Sequence, residues 1–556
     1  MTSTSYDSPV AAREPLLPKL LTVLREGYSF AALRADAIAA LTVAIVALPL
    51  SMAIAIASGV GPERGLYTAI IGGFLVSAFG GSRFQIGGPA GAFIVLVSAC
   101  VMQTGVAGLI LATFLSGGML AVLGVLRLGS YIRFMPYPVT VGFTTGIGVI
   151  ILASQMKDLF GLHLSGPEPG EIVAKVETLW AARDSFNPTA LGVALGTILV
   201  IESVKRIDSR LPSLLIGVAL ASLVAALLGL PVETIASRFG ELPRILPAPA
   251  LPDFSRDAVI AALPWAVSFT LLGAIESLLS AMVADGMSGT QHRSNMELVA
   301  QGLANMGAAI FGGFCVTGTI ARTATNVRAG ARGPISGMLH ALFILLFMVV
   351  AAPLAGYIPL AALAGLLAIV AWNMIERHEF LALLRSSRGD ALVLLATFLL
   401  VVFRDLTEGI VVGFALGGLV FIRHMSEMTR LQRAPLMPEG SEDVESQNSD
   451  LVIYRLHGAV FFGSVARLGT VLDRIAQRPR AVVIDFSEVS FVDSTGARMV
   501  LTLARKLARR NGVLYLTGAS PELRRGMEAQ GLTETEVRFL PDSDAVVAAL
   551  HAPDGG

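Results

Sequence analysis

Up to Arg433, charged positions are sparse enough that the chain falls into charge-free apolar intervals. A membrane-crossing helix needs about 20 mostly apolar residues, and the centre of a bilayer tolerates few ions. On that measure single spans are predicted over 37–62, 65–82, 134–156, 185–201, 211–232 and 258–284, the last running through Glu276. The intervals 84–126 and 333–375 hold 43 residues each, with turn signals at Gln103-Thr104-Gly105 and from Pro353 to Pro359, so each is predicted to be two spans. Residues 298–327 contain Gly312-Gly313 and read as a full helix followed by a short one; 391–403 and 409–422 bring the total to fourteen.

After the last span the pattern changes. Ala434–Asp450 is 17 residues with five acids, no base and two prolines, which predicts a solvated linker. Beyond it, Leu451–Leu456, Ala481–Phe486 and Val513–Thr517 read as buried strands, and Val465–Gln477, Thr495–Arg510 and Glu522–Gln530 have helical periodicity. The predicted organisation is an N-terminal segment over 1–33, a fourteen-span α-helical membrane domain over 34–433, a linker over 434–450 and an α/β domain over 451–553.

Composition agrees with a membrane protein: 54% of residues are apolar and only 15% are charged, against about 25% charged in soluble domains. Lys+Arg and Asp+Glu are 41 each, so there is no basic excess to hold nucleic acid. Cys100 and Cys315 sit in apolar runs without other ligands at metal spacing, which excludes a disulfide framework or zinc cluster; no metal or cofactor is expected. No nucleophile elbow or phosphate loop argues for an enzyme. Charges scattered through the first 30 residues leave no apolar core for a cleavable leader. With the N-terminus inside, inner segments up to Arg433 carry 19 Lys+Arg and outer loops 8, which places both ends in the cytoplasm.

Fourteen spans divide into two sets of seven, and secondary transporters are often inverted repeats with matching broken helices at the substrate site. The breaks here correspond: Gly80-Gly81-Ser82-Arg83-Phe84-Gln85-Ile86-Gly87-Gly88-Pro89 precedes span 3, and Gly312-Gly313-Phe314-Cys315-Val316-Thr317-Gly318-Thr319 precedes span 10. Each starts a short helix inside the membrane, whose free N–H groups suit an anion. The candidate ligands are backbone N–H groups around Gly88–Gly91, a stretch that includes Pro89 and Ala90, and around Gly318–Ile320, with the Thr317 and Thr319 hydroxyls as donors. Close packing of glycine-rich helices is the competing explanation. Eighteen residues separate Glu276 from Asp257 and eight separate it from Asp285, so it lies too deep to reach a surface easily. An ionised carboxylate there costs about 2.5–3.5 kcal/mol, so Glu276 is expected to be neutral or paired and is the candidate carrier of a coupling proton; a helix-to-helix hydrogen bond is the alternative. Arg322, one turn along the short helix, either attracts anions or snorkels to the inner surface. Pro49 either bends span 1 beside the site or is a packing kink.

These motifs resemble the SulP family of anion transporters with a C-terminal STAS domain, over about residues 30 to 550. The resemblance rests on Gly65-Leu66-Tyr67, Gly88-Pro89, the Glu276 segment, Asn305, Gly312-Gly313, Thr317-Gly318, Ala321-Arg322-Thr323, Asn326–Ala331 and Val492-Asp493-Ser494-Thr495-Gly496. It implies core and gate domains that move against each other, substrate between spans 3 and 10, a homodimer in the cell inner membrane and a cytoplasmic tail that can take a partner. Gly273–Leu279, Asp285-Gly286-Met287 and Ala371–Met374 look most like the bacterial branch that takes up four-carbon dicarboxylates such as succinate and fumarate, with sulfate the other candidate. Sodium-coupled bicarbonate members tend to have Asp at the position of Glu276 and a hydroxyl at that of Ile320, a departure that counts against sodium here. The expected function is proton-coupled anion uptake. A passive channel or exchanger and a membrane-tethered STAS signalling protein are the alternatives, and the last would not need paired broken helices. In the tail, Ser494 and Thr495 are candidates for regulation, since the hydroxyl matching Thr495 is phosphorylated in STAS domains that regulate sigma factors; a plain helix N-cap is the other reading.

Overall fold

The computed structural model describes residues 15–433 except 133, 134, 167, 170, 209, 210 and 405, and residues 451–542 except 466, 467 and 469–480, together with 545 and 546. The linker expected over 434–450 and most of the helix expected over 465–477 lie outside the described residues. The chain forms two compact units, Met1–Phe414 and Ala415–Gly556.

Every expected span has a helical counterpart, all in the first unit except the last, which runs from it into the second. A short α1 (Lys19–Glu26) precedes α2 (Phe30–Ala57), which is span 1 with Pro49 buried inside it. Span 2 is built from α3 (Pro62–Tyr67), a π-helical turn over Thr68–Gly72 and α4 (Gly73–Phe79). A 3-10 turn over Gly91–Phe93 leads into α5 (Ile94–Val125), which supplies spans 3 and 4; Gly105 at φ 70° makes the turn expected between them, a conformation that glycine adopts without a Cβ clash. After α6 (Gly129–Ile132), spans 5 to 7 are α7 (Tyr137–Phe160), α9 (Pro188–Ile207) and α10 (Ser213–Leu228), with α8 (Ile172–Ala181) between the first two. The short α11 (Ile235–Phe239) precedes α12 (Arg256–Ser288), α13 (Ser294–Ile310), the nine-residue α14 (Ile320–Arg328), α15 (Ile335–Ala355) and α16 (Leu360–Met374), which are spans 8 to 12. Finally α17 (Arg377–Ser386) lies ahead of α18 (Arg388–Phe403) and α19 (Leu406–Met428), spans 13 and 14. Among the described residues, seven helices are long and apolar enough to cross a membrane by length and composition alone. Because α1, α8, α11 and α17 are short or charged, a span count does not see them.

Helix α5 packs along both α12 and α13. A Cβ at Gly117 would come within 2.7 Å of the Gly302 carbonyl oxygen, so here glycines do serve close helix approach, as the competing explanation requires. The two breaks are different. They form a two-stranded antiparallel ladder, β1 (Gly87–Gly88) on β2 (Thr317–Gly318), with Gly87 opposite Gly318 and Gly88 opposite Thr317.

The second unit carries a five-stranded sheet in the order β3 (Arg430–Arg433), β4 (Leu451–Val460), β5 (Ala481–Val492), β6 (Val513–Thr517), β7 (Arg538–Leu540). Strands β4 to β7 pair in parallel and β3 is antiparallel. Helices α20 (Ser494–Ala508) and α21 (Pro521–Glu528) complete the expected α/β pattern, and Val500, Leu503 and Leu507 of α20 bury against Val482, Ile484 and Leu516 of the sheet. The edge strands β3 and β7 are short and charged, as sheet edges commonly are, so apolar patterning does not reveal them.

Candidate site at the crossing of the two broken spans

The crossing is held by residues far apart in the chain. The Thr319 backbone N–H and its hydroxyl both donate to the Ile86 carbonyl, at 2.9 and 3.1 Å. The Ile86 N–H donates to the Thr323 hydroxyl oxygen, which also accepts from Ser280 on α12. The Thr317 and Ser277 hydroxyls share a hydrogen bond of 2.7 Å, and the Gly318 N–H donates to the Ser277 hydroxyl oxygen at 3.2 Å. All these groups are buried. Asn305 on α13 clamps the strand before the crossing, accepting from the Val316 N–H and donating to its carbonyl.

This network corrects part of the expected ligand set. The Thr317 and Thr319 hydroxyls and the Gly318 and Thr319 N–H groups are spent on holding the crossing together, so they do not face an anion. What they leave free is more informative. With its hydroxyl turned to Ile86, Thr319 at the N-cap of α14 gives no side-chain cap, and the N–H groups of Ile320 and Ala321 have no acceptor among the described residues. At the other half-helix, Ala90 occupies the N-cap, and the N–H groups of Gly91 and Ala92 are likewise free. Ala321 is exposed while Gly91 and Ile320 are half-buried, so both helix starts border open space.

Arg322 is 2% exposed, which rules out snorkelling. Its Nη2 donates to the Ser51 hydroxyl on α2 and to the Pro89 carbonyl, each at 3.2 Å, while Nε and Nη1 are buried without a partner among the described residues. A Cβ at Gly88 would overlap Nη1, so any larger residue there would push the guanidinium aside. Pro89 thus takes part through its carbonyl. A guanidinium that can donate five hydrogen bonds and makes two, beside two uncapped helix starts, has unused capacity of the kind an anion satisfies.

Glu276 lies on the stretch of α12 that packs on β2 through Gly273 and Ser277 and on α14 through Ser280. Its Oε2 is buried without a hydrogen-bond partner, and Glu276 forms no ion pair among the described residues. Of the two expectations, paired or neutral, the paired one is not met. Sequence reasoning passed over Gln85, although it lies in the quoted break. Its amide nitrogen donates to the Ser277 carbonyl at 3.2 Å, its Oε1 has no partner, and a Cβ at Gly318 would overlap it. Ser51 and Ser280 carry no signal beyond a small hydroxyl inside an apolar helix, and Thr323 is flagged only as part of the Ala321-Arg322-Thr323 motif, without a role. A separate cavity of about 360 Å³, lined by Asp158, His163, Asn187 and Glu233 among others, includes none of the crossing residues.

In the tail, Ser494 and Thr495 are exposed at the start of α20, but neither caps it. Asp493 does: its Oδ1 accepts from the Gly496 N–H at 2.7 Å and its Oδ2 from the Phe462 N–H at 3.0 Å. A carboxylate at the N-cap also suits the helix dipole, so the capping reading of Thr495 is replaced by Asp493.

Comparison with known proteins supplies the relatives. The sulfate permease family matches residues 33–397 and the STAS domain residues 443–544. YvdB of Bacillus subtilis (strain 168), whose name makes it only a candidate sulfate transporter, is 38% identical over 91% of this chain and 95% of its own. The protein named bicarbonate transporter BicA from Picosynechococcus sp. is 28% identical over 90% of this chain and 91% of its own. Among solved structures, that of the murine Solute Carrier 26 family member A9 anion transporter, inward-facing, superposes with a TM-score of 0.83 at 20% identity, covering 96% of this chain and 94% of that one. The transmembrane domain of a cyanobacterial BicA gives a TM-score of 0.62 at 31% identity, covering 70% of this chain and 98% of that one.

Proposed function

The chain belongs to the sulfate permease family, and from that premise we propose that it is a secondary transporter that takes up a small anion together with a proton, with sulfate the first candidate and four-carbon dicarboxylates the second. The observation that carries this reading is the pair of unpartnered nitrogens on buried Arg322 beside the free N–H groups of Gly91, Ala92, Ile320 and Ala321. These donors together supply charge and direction without a metal. They recognise an oxyanion by its oxygens and are indifferent to what lies behind them, which is why sulfate and carboxylates compete in the proposal.

Glu276 provides the coupling. With its carboxyl protonated, the region between β2 and α12 carries no negative charge to oppose an entering anion; with the proton gone, an unpaired carboxylate repels it. Anion and proton therefore favour each other's binding and cross together. Both termini are assigned to the cytoplasm from the Lys and Arg distribution, which puts the STAS unit there too.

The test is uptake into proteoliposomes of labelled sulfate, bicarbonate, succinate and fumarate, driven in turn by an inward proton gradient and an inward sodium gradient. Sulfate or dicarboxylate accumulation driven by the proton gradient alone is expected. Bicarbonate accumulation driven by sodium would replace this reading with sodium-coupled uptake of bicarbonate, the anion in the name of the BicA relative. Equilibration without accumulation would mean a channel, and no movement of any anion a tethered signalling protein.

A further inference from the structure

We propose that α1 is a lipid-docked strap, seated through its outward face on the bilayer interface and its anionic headgroups, and tied through its inward face to the segment that leads into β1.

The inward face is fully engaged. The Lys19 N–H donates to the Gly80 carbonyl at 2.9 Å, and Arg293 Nη1 donates to the Leu17 carbonyl at 2.7 Å and to the Thr22 hydroxyl at 3.0 Å. Glu26 holds Arg83 through both carboxylate oxygens at 2.6 Å, and Val23 is buried near Gly333. The next residues of the same loop, Gly81 and Ser82, donate their N–H groups to Glu297, and the chain then enters β1. Anything that steadies α1 therefore steadies the approach to the crossing.

The outward face has no partner among the described residues. Leu21 is 40% and Leu24 48% exposed, and four residues after α1 the exposed Phe30 opens the stripe Phe30, Leu33, Ile38, Leu41 along α2. Helical spacing puts these four on one side, and α2 is a membrane span, so that side meets lipid. The apolar face of α1 is thus delivered to the boundary where the stripe begins. The cations there are unbalanced: Arg25 and Arg34 are exposed and in no ion pair among the described residues, whereas Glu26 is committed to Arg83 and Asp36 to Tyr28 and the Arg332 and Gly333 N–H groups. An apolar face edged by unpaired arginines at a membrane boundary fits an interfacial helix on anionic lipid.

The experiment uses the full chain in vesicles of phosphatidylcholine alone or mixed with phosphatidylglycerol. Leu21→Cys or Leu24→Cys carries a small fluorophore; Cys100 and Cys315 are buried and do not compete for label. Lipids with a nitroxide near the headgroup are expected to quench the probe, more strongly with phosphatidylglycerol present. Arg25→Gln with Arg34→Gln is expected to remove that difference, each cation being worth about fivefold in partitioning. A probe shielded from both lipid nitroxide and aqueous iodide would mean that a second copy or the tail unit covers α1, and one quenched by iodide alone that α1 is free in water; either overturns the proposal. The link to the crossing rests on the transport reading above and is read separately: sulfate uptake should fall severalfold without phosphatidylglycerol in the wild type and be the same in both lipids in the double variant. Uptake indifferent to lipid charge, with quenching intact, overturns that link; no uptake in either lipid faults the transport reading and leaves docking supported.

Discussion

Replacing Arg322 with Met separates a ligand from a strut, because the two roles predict opposite results. The substitution conserves length and removes the charge. Two hydrogen bonds are lost, to Ser51 and Pro89, and at 3.2 Å both are long for a charged donor, whose usual distance is about 2.7–2.9 Å. Leaving the Pro89 carbonyl unpaired costs about 1–3 kcal/mol. Against this, a buried cation with two unpartnered nitrogens is expensive to hold, and exchanging buried charge for apolar volume is often neutral or stabilising by about 1–4 kcal/mol. The two nearly cancel, so stability should change by less than about 2 kcal/mol. Binding has no such offset. A hydrogen bond from a charged donor is worth about 1.5–3 kcal/mol, so losing one to the anion should weaken affinity about 10- to 150-fold. The assay is the rise in unfolding temperature with added sulfate in detergent, together with the half-saturation of uptake, for wild type, Arg322→Met and Arg322→Lys. The lysine variant keeps the charge without the planar fork and should fall between the two. A marked loss of stability with unchanged half-saturation would show that Arg322 is a strut and refute its role as ligand.

Glu276→Gln keeps the neutral form and removes titration, so substrate binding should persist while accumulation driven by a proton gradient collapses; normal accumulation with an unchanged pH profile would remove Glu276 from the mechanism. Gly318→Val drives a side chain into the Gln85 amide and displaces the crossing, so it should abolish anion binding, at a cost in stability of about 1–3 kcal/mol for overpacking; unchanged affinity would place the site elsewhere. For the tail, fragment 451–553 should fold by itself, and one beginning at residue 429 should be more stable because β3 covers the edge of β4; equal melting of the two fragments would contradict this. Burial pushes the Asp485 carboxyl up, but hydrogen bonds from the Ser487 backbone and hydroxyl and from Arg455 outweigh it and hold it below its ordinary value. Its contribution is therefore present above the unfolded value of about 3.9 and lost as pH falls through the folded one. Asp485→Asn should flatten the acid end of the stability profile by no more than about 1 kcal/mol, the pair being partly exposed.

Chain pattern alone carried the fourteen helical segments, the two matched breaks and the three inner strands of the tail, because each is set by a local requirement: bilayer thickness, helix-breaking glycine, or apolar alternation at a strand. It also singled out Glu276 and Arg322, since a charge inside an apolar run is visible without any structure. Tertiary structure alone decided which polar groups remain for a ligand. Thr317, Thr319 and the Gly318 N–H look like donors in the sequence, yet their partners are Ser277, forty residues from Thr317, and Ile86, 233 residues from Thr319. Gln85 and Ser51 gained significance only when the fold brought them against Gly318 and Arg322. Likewise Asp493 displaced Thr495 as the cap of α20 by backbone geometry that composition does not encode. A hydrogen bond satisfies a group wherever its partner lies along the chain, so whether a donor is spent or free depends on contacts that only folding creates.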